Sequence, residues 1–386
     1  MNIRFQVSKP VLCGNEKRYV NDAMDAGWIS SNGAYLQKFE QAIAEVLHVD
    51  ECLVASSGTA ALHLACLALG LKPGDEVVVP SLTYVASANA IAYCGATAVF
   101  ADCDLQTWNA TAALIEQAWT PRTVGVIAVH LYGMPTDIEA IADLCQRRGA
   151  WLLEDCAESL GASVNGKPTG SFGDAATFSF YGNKTISTGE GGALYVRDIE
   201  RRCHAKMLRG QGMDFNRRYW HPIIGYNYRM TNIAAAIGLG QIEMLDFHLS
   251  ERRRISNRYL QQLSPLAAEG LVQLPVQVDD YVNTFWLFSL VLTSGGKDLR
   301  EKVMRELADD FGIETRPFFI PMHRLPMYLS DEIFPSAEFL AAHGMNLPTY
   351  SGLAEREVDE IYLRKVFQVR HLRVNFVVLH QPCGWS

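Results

Sequence analysis

The chain has 386 residues, 49% hydrophobic and 20% charged, a composition that fits a folded protein with a large core and room for two domains. Its formal charge of -8 argues against a nucleic-acid partner, which would need a basic face. No apolar run approaches the roughly 20 residues of a membrane span, and the opening MNIRFQVSKP has no apolar signal core, so no membrane partner and a cytoplasmic location are expected. Nine cysteines are scattered at 13, 52, 66, 94, 103, 145, 156, 203 and 383 without a Cys-x-x-Cys pair. That pattern predicts neither a disulfide framework nor a metal site, and it suits a reducing compartment.

From Cys52 onward, β-rich runs alternate with helix-length stretches. CLVASS (52–57), EVVVPSL (76–82), TAVFADCD (97–104), VGVIAVHLYG (124–133), AWLLEDCAE (150–158), ATFSFYG (176–182) and GALYVRD (192–198) read as strands. Runs of Val, Ile, Leu and Phe separated by helices predict an α/β protein with a mostly parallel sheet covered on both faces. Residues 137–149 have helical spacing, with Asp137 placed to cap the helix and Gly149 to stop it. A long helical stretch over about 232–262 leads to a smaller α/β unit. There FWLFSLVLT (285–293) and GIETRPFFI (312–320) read as strands around the helix KDLREKVMRELADDFG (297–312). The basic run Arg252-Arg253-Arg254, after Glu251, reads as a solvated helix face. Beyond Val366 the helical periodicity is lost, leaving an edge strand, a disordered end or a tail foreign to the fold as readings.

Chemistry in such sheets collects where strands end and helices begin. SSGTAAL (56–62) is a strand end running into a helix start. It is either a plain N-cap or, with Gly58 for close approach and the Ser57 and Thr59 hydroxyls, an anion site suited to phosphate. Asp155 ends an apolar strand. It is either solvated there or a fixed anion that keeps a heterocyclic nitrogen protonated, and Glu158 follows three residues later. Lys184 stands alone in a loop of small and hydroxyl residues, either as a surface lysine or as an amine able to form a Schiff base. The three features occur in that chain order on three strand ends of one sheet.

These segments, with GWISSNG (27–33), VPSLTYVASANAI (79–91), EDCAESLGA (154–162), FSFYGNKTISTGEGG (178–192), GYNYRMTN (225–232) and ETRPFFIPMH (314–323), resemble the DegT/DnrJ/EryC1/StrS family of nucleotide-sugar aminotransferases. The resemblance runs from about residue 5 to 365. It implies the aspartate aminotransferase fold (fold type I), a large domain over 1–245 with a seven-stranded sheet, a small domain over 246–386, and pyridoxal 5'-phosphate as cofactor, passing through its pyridoxamine form. It also implies roles for single residues. Lys184 would bind the cofactor covalently and shuttle protons, and Asp155 would pair with its ring nitrogen. Glu158 would lie near its phenolic oxygen, Tyr84 would stack on its ring, and Gly58, Thr59 and Ser179 would hold its phosphate. Asn227 would reach the phosphate from the other subunit, so that sites are shared in a homodimer. Trp28, Ser30, Tyr219, Arg229 and Arg316 would contact substrate. Within the family, the segments look most like those of members that use L-glutamate to aminate C4 of GDP-4-keto-6-deoxymannose. Amination of another keto-sugar nucleotide, or a sensor that only binds one, stays as an alternative. A related sugar 3-dehydratase carries His where Lys184 stands, which argues against that reading.

Overall fold

In the computed structural model the described residues are 3–362, so the tail after Val366 lies outside them. The first seven main strands match the expected runs: β1 (Leu53–Ala55), β2 (Glu76–Pro80), β3 (Thr97–Ala101), β4 (Thr123–Val129) and β5 (Trp151–Asp155), then, after the short strands β6 (Ser163–Val164) and β7 (Lys167–Pro168), β8 (Ala175–Ser179) and β9 (Gly192–Val196). They form one sheet in the order β1-β9-β8-β5-β4-β2-β3, in which only β9 runs against its neighbours. The strands are almost wholly buried, as expected of a sheet covered on both faces.

One covering layer is built from α3 (Gly58–Ala68), α4 (Ala86–Tyr93) and α7 (Ile199–Arg209), which share a core with β1, β2 and β9. On the other side lie α2 (Ala34–Leu47), packed with α8 (Asn232–Ile242), and the pair α5 (Ala112–Gln117) and α6 (Ile138–Arg148). The N-terminal α1 (Glu16–Asp25) lies against α8. Gly149 ends α6 as expected, whereas Asp137 makes no side-chain capping bond. The helical stretch over 232–262 is two helices, α8 and α9 (Leu245–Ala268), broken at Glu243–Met244.

The second unit has a four-stranded sheet, β10 (Val272–Gln273), β12 (Phe288–Leu292), β14 (Gly344–Leu347) and β13 (Arg316–Pro317), in that spatial order. It packs on α9, α10 (Gly296–Phe311) and α11 (Pro335–His343). GIETRPFFI contributes only the two residues of β13, because proline at 317 supplies no ladder donor. Although it opens the chain, Phe5 packs in this unit's core and pairs with Ile313. Between the units, β11 (Tyr281–Val282) pairs with β6 in a separate three-stranded sheet, β11-β6-β7, and so ties the lead into the small sheet to the β6–β7 hairpin.

Arg252 overturns the reading of residues 252–254 as a solvated face. Its side chain is 2% exposed, and only Arg254 forms the expected helical pair, with Glu251 at 2.8 Å. The helix turns residue 252 inward, onto the stripe that also holds His248, Ile255 and Tyr259. No helix among the described residues is long and apolar enough to cross a membrane.

Candidate active site

At the C-terminal ends of β4, β5 and β8 the chain encloses a cavity of about 400 Å³. Its first wall is the start of α3. Ser57 caps the helix by accepting the Ala60 N–H at 3.1 Å, and Gly58 and Thr59, whose first-turn N–H groups have no intrahelical acceptor, line the cavity. A Cβ on Gly58 would stand 2.8 Å from the Ser179 Cβ, so only glycine lets the helix start lie against the end of β8. Thr177, also on β8, lines the cavity and has a buried hydroxyl oxygen without a partner.

Asp155 closes the floor. It is 6% exposed, accepts the Ser87 hydroxyl at 2.7 Å and the Ala157 N–H at 3.1 Å, and forms no ion pair among the described residues. Its neighbour Glu154 points to the opposite face, as strand alternation requires. There Glu154 accepts the N–H groups of Gly170, Phe172 and Gly173 and faces His130 Nε2 at 3.2 Å. His130 Nδ1 in turn accepts the Thr136 N–H. This network, joined by Cys156 nearby, is filled by the protein's own donors and steadies the strand end that carries Asp155.

Lys184 enters from the loop after β8, with its Nζ 3.6 Å from Glu158 Oε1 and 3.7 Å from the centre of the Trp286 ring. Glu158 also accepts the Tyr132 N–H at 2.7 Å. Burial pushes the Glu158 carboxyl up to about 7 against the pull of Lys184 and the Tyr132 N–H. Burial likewise holds the Lys184 amine below its ordinary value, while Glu158 and Asp155 act in the other direction. The lysine is therefore a mostly buried amine, its side chain 13% exposed, with one carboxyl beside it.

One cavity thus collects Gly58, Thr59 and Ser179 on the cradle side, Asp155, Glu158 and Lys184 on the floor, and Tyr84 and Arg316 at the mouth. Tyr84 is 57% exposed, its ring 5.8 Å from that of Phe319. The other expected residues lie elsewhere in the single chain. The carbonyls of Trp28 and Ser30 bind Asn232 at the start of α8. Tyr219 is 76% exposed, Asn227 pairs with Gly210, and Arg229 lies in a neighbouring hollow with Glu190, its Nε buried without a partner. Ser87, Tyr132 and Trp286 also belong to the site, and sequence reading singled out none of them. Ser87 sits in the quoted VPSLTYVASANAI, but nothing local says that its hydroxyl reaches Asp155. Trp286 was hidden in a run that reads as strand.

Pyridoxal phosphate requires an anion cradle, a carboxylate for its ring nitrogen and an amine for its aldehyde. The residues present fit it: a helix start with open N–H groups, a buried carboxylate with no cation of its own, an orphaned Thr177 hydroxyl and a desolvated lysine line the same space.

The model of the DegT/DnrJ/EryC1/StrS aminotransferase family matches residues 11–364. A protein of Caulobacter vibrioides named GDP-perosamine synthase is 47% identical over 360 residues, covering 93% of this chain and 96% of its own. The crystal structure of the aminotransferase TlmJ from Streptoalloteichus hindustanus superposes with a TM-score of 0.90 at 31% identity, covering 96% of this chain and 100% of that one. The PLP form of the putative sugar aminotransferase Spr1654 from Streptococcus pneumoniae superposes with a TM-score of 0.89 at 26% identity, over 96% of this chain and 99% of that one.

Proposed function

Because the chain belongs to the DegT/DnrJ/EryC1/StrS aminotransferase family, we propose that it transfers the amino group of L-glutamate to the C4 ketone of GDP-4-keto-6-deoxymannose, giving GDP-perosamine. The single observation that carries the chemistry is the meeting of the Lys184 amine, the Asp155 carboxylate and the α3 cradle in one cavity. The similarity to the Caulobacter vibrioides protein supports the choice of sugar nucleotide.

Pyridoxal phosphate, when bound, supplies an electron sink that carries the amino group between the two substrates. Gly58, Thr59 and Ser179 would hold its phosphate at the α3 start, and Tyr84 would cover its ring. Asp155, fixed by Ser87 and the Ala157 N–H, would keep the ring nitrogen protonated. Glu158 would sit at the phenolic edge. Lys184 is the attaching amine, and once released it moves a proton as general acid and base. Burial lowers its basicity, which favours the neutral form that attachment needs. At the mouth, Arg316 offers a guanidinium for an incoming carboxylate; its only ion pair among the described residues, with Glu314, is long at 3.4 Å.

The working unit in this reading is a homodimer. Asn227 lies outside the cavity of its own chain, on a segment whose Phe215, Tyr219, Trp220 and Ile224 are all at least half exposed. A second copy would cover them and bring Asn227 to the partner's site, and Trp28, Ser30, Tyr219 and Arg229 would then be available to the sugar nucleotide. The eight described free cysteines suit a reducing, cytoplasmic setting.

Mass spectrometry of products from a panel of GDP-, dTDP- and UDP-linked keto-sugars with glutamate tests the assignment. Amination of the GDP-linked 4-keto-6-deoxymannose at the highest kcat/KM is the expected result. Preference for a dTDP- or UDP-linked sugar would overturn the substrate, and no amination of any would overturn the activity.

A further inference from the structure

Between β11 and β12 runs a short buried strap, Thr284–Phe285–Trp286, whose Trp286 lines the cavity. Thr284 donates its N–H to the Gly133 carbonyl at 3.1 Å and its hydroxyl to the Glu158 carbonyl at 3.3 Å. A Cβ on Gly133 would stand 2.8 Å from the Trp286 nitrogen and 2.9 Å from that of Phe285, so the strap lies directly on a glycine backbone. Phe285 is held at φ 49 and Tyr132, beneath the strap, at φ 54, a left-handed conformation that side chains rarely adopt. Such backbone persists only where the surroundings over-determine it.

Trp286 reaches the lysine loop twice. Its ring face lies 3.7 Å from the Lys184 Nζ, and its Nε1–H donates to the Asn183 carbonyl at 2.7 Å. The strap is held from behind by Arg252 of α9, whose Nη1 donates to the Trp286 carbonyl at 2.5 Å and to the Thr349 carbonyl at 2.8 Å. No carboxylate pairs with this buried guanidinium among the described residues. A buried, unpaired cation is a costly way to join a helix to two carbonyls, and an apolar side chain would serve packing as well.

We infer that the Trp286 face is the rest position of the Lys184 amine when it is not bonded to the cofactor, and that Arg252 is the positioning residue that keeps the face there. The inference rests on the reading of Lys184 as the reacting amine and adds what holds that amine between its two tasks. A π face attracts an ammonium and leaves a neutral amine free to turn away, so the same contact that parks the charged form releases the reactive one. Three other charged groups act on the amine: Glu158, Asp155 and Arg316.

Competitive acetylation of Lys184 in the cofactor-free protein, read peptide by peptide by mass spectrometry across pH, follows this amine without turnover. Trp286→Leu removes the face, and the titration of Lys184 should move down by about half a unit to one and a half units. Trp286→Phe retains a face and should recover most of that shift. Arg252→Met, of similar length and without charge, should move the titration the same way but less. An unchanged titration in Trp286→Leu, or equal shifts in the Leu and Phe variants, overturns the rest position. A folded Arg252→Met with the wild-type titration overturns the anchor. If Trp286→Leu does not fold, Trp286→Met takes its place with the same two outcomes. Labelling needs neither cofactor nor substrate, so a wrong assignment of the reaction would leave this result standing.

Discussion

Glu158→Gln keeps the shape of the site and removes the carboxyl nearest to Lys184. At 3.6 Å, a full unit charge with an effective dielectric of about 20 would act on the ammonium with about 4 to 5 kcal/mol. Burial pushes the Glu158 carboxyl itself up to about 7, so its ionisation is incomplete near neutrality and its pull is correspondingly smaller there. Burial lowers the Lys184 value and Glu158 raises it, so without Glu158 the value falls further. Attachment of pyridoxal phosphate needs the neutral amine. In the wild type its rate rises with pH through the Lys184 titration, and in Glu158→Gln that rise should begin at lower pH, making attachment at pH 7 about tenfold faster or more. The assay follows the visible absorbance of cofactor-free protein after addition of pyridoxal phosphate over a range of pH. Superimposable profiles would mean that no charge at 158 is felt by the lysine, and the ion-pair reasoning would be wrong. A shift toward higher pH would contradict the sign itself.

The same carboxyl affects stability: its folded value lies above its unfolded one, so its contribution is fully present below about pH 4.5 and lost as pH rises through about 7. Relative to wild type, Glu158→Gln should therefore gain stability between those values, by no more than about 3 kcal/mol, in thermal unfolding of the cofactor-free protein; a gain that grows toward acid pH would refute this. Asp155→Asn should lower kcat about a thousandfold or more while substrate binding holds, and a change confined to KM would make Asp155 a binding residue only. Gly133→Ala forces a Cβ onto the strap backbone at a φ of 97 and should cost about 2 kcal/mol or more of unfolding free energy, whereas a loss below about 0.5 kcal/mol would show that the strap yields easily. Mixing inactive Lys184→Ala with inactive Asn227→Asp should restore up to about half of wild-type activity per heterodimer. No recovery after exchange confirmed by native mass spectrometry would refute shared sites.

The parts of the site that were legible in the sequence are those marked by local chain chemistry. Asp155 breaks an apolar strand, Lys184 stands alone in a small-residue loop, and Gly58–Thr59 starts a helix after a strand; each departs from its own neighbours, and the alternation of strands and helices places all three at one edge. What was not legible depends on approach between distant segments. Glu158 and Lys184 are brought together by the loop that follows β8, and Glu158 is held by a Tyr132 N–H that only the left-handed backbone at 132 turns inward. Trp286 carries the apolar character of a strand residue, and its side chain belongs to the site because the strap must cross Gly133 before β12 begins.

Arg252 was misread for a different reason, and its case says what kind of signal was available. Three arginines in a row after a glutamate look solvated when counted as charge. Placed on a helix they point in three directions, and position 252 falls on the stripe of Leu249, Ile255, Tyr259, Leu263 and Leu266, the buried positions of α9. A cation on an apolar stripe conflicts with its own helix face, and such conflicts collect where function outweighs stability. The stripe was there to be read at the spacing of 3 and 4. From it follows a buried guanidinium that must find carbonyls, and the carbonyls it finds are those of the residue that lies on Lys184 and of Thr349, just past β14. The long helix that leads into the small unit is thereby coupled to the amine of the large one, through one side chain and one strained strap.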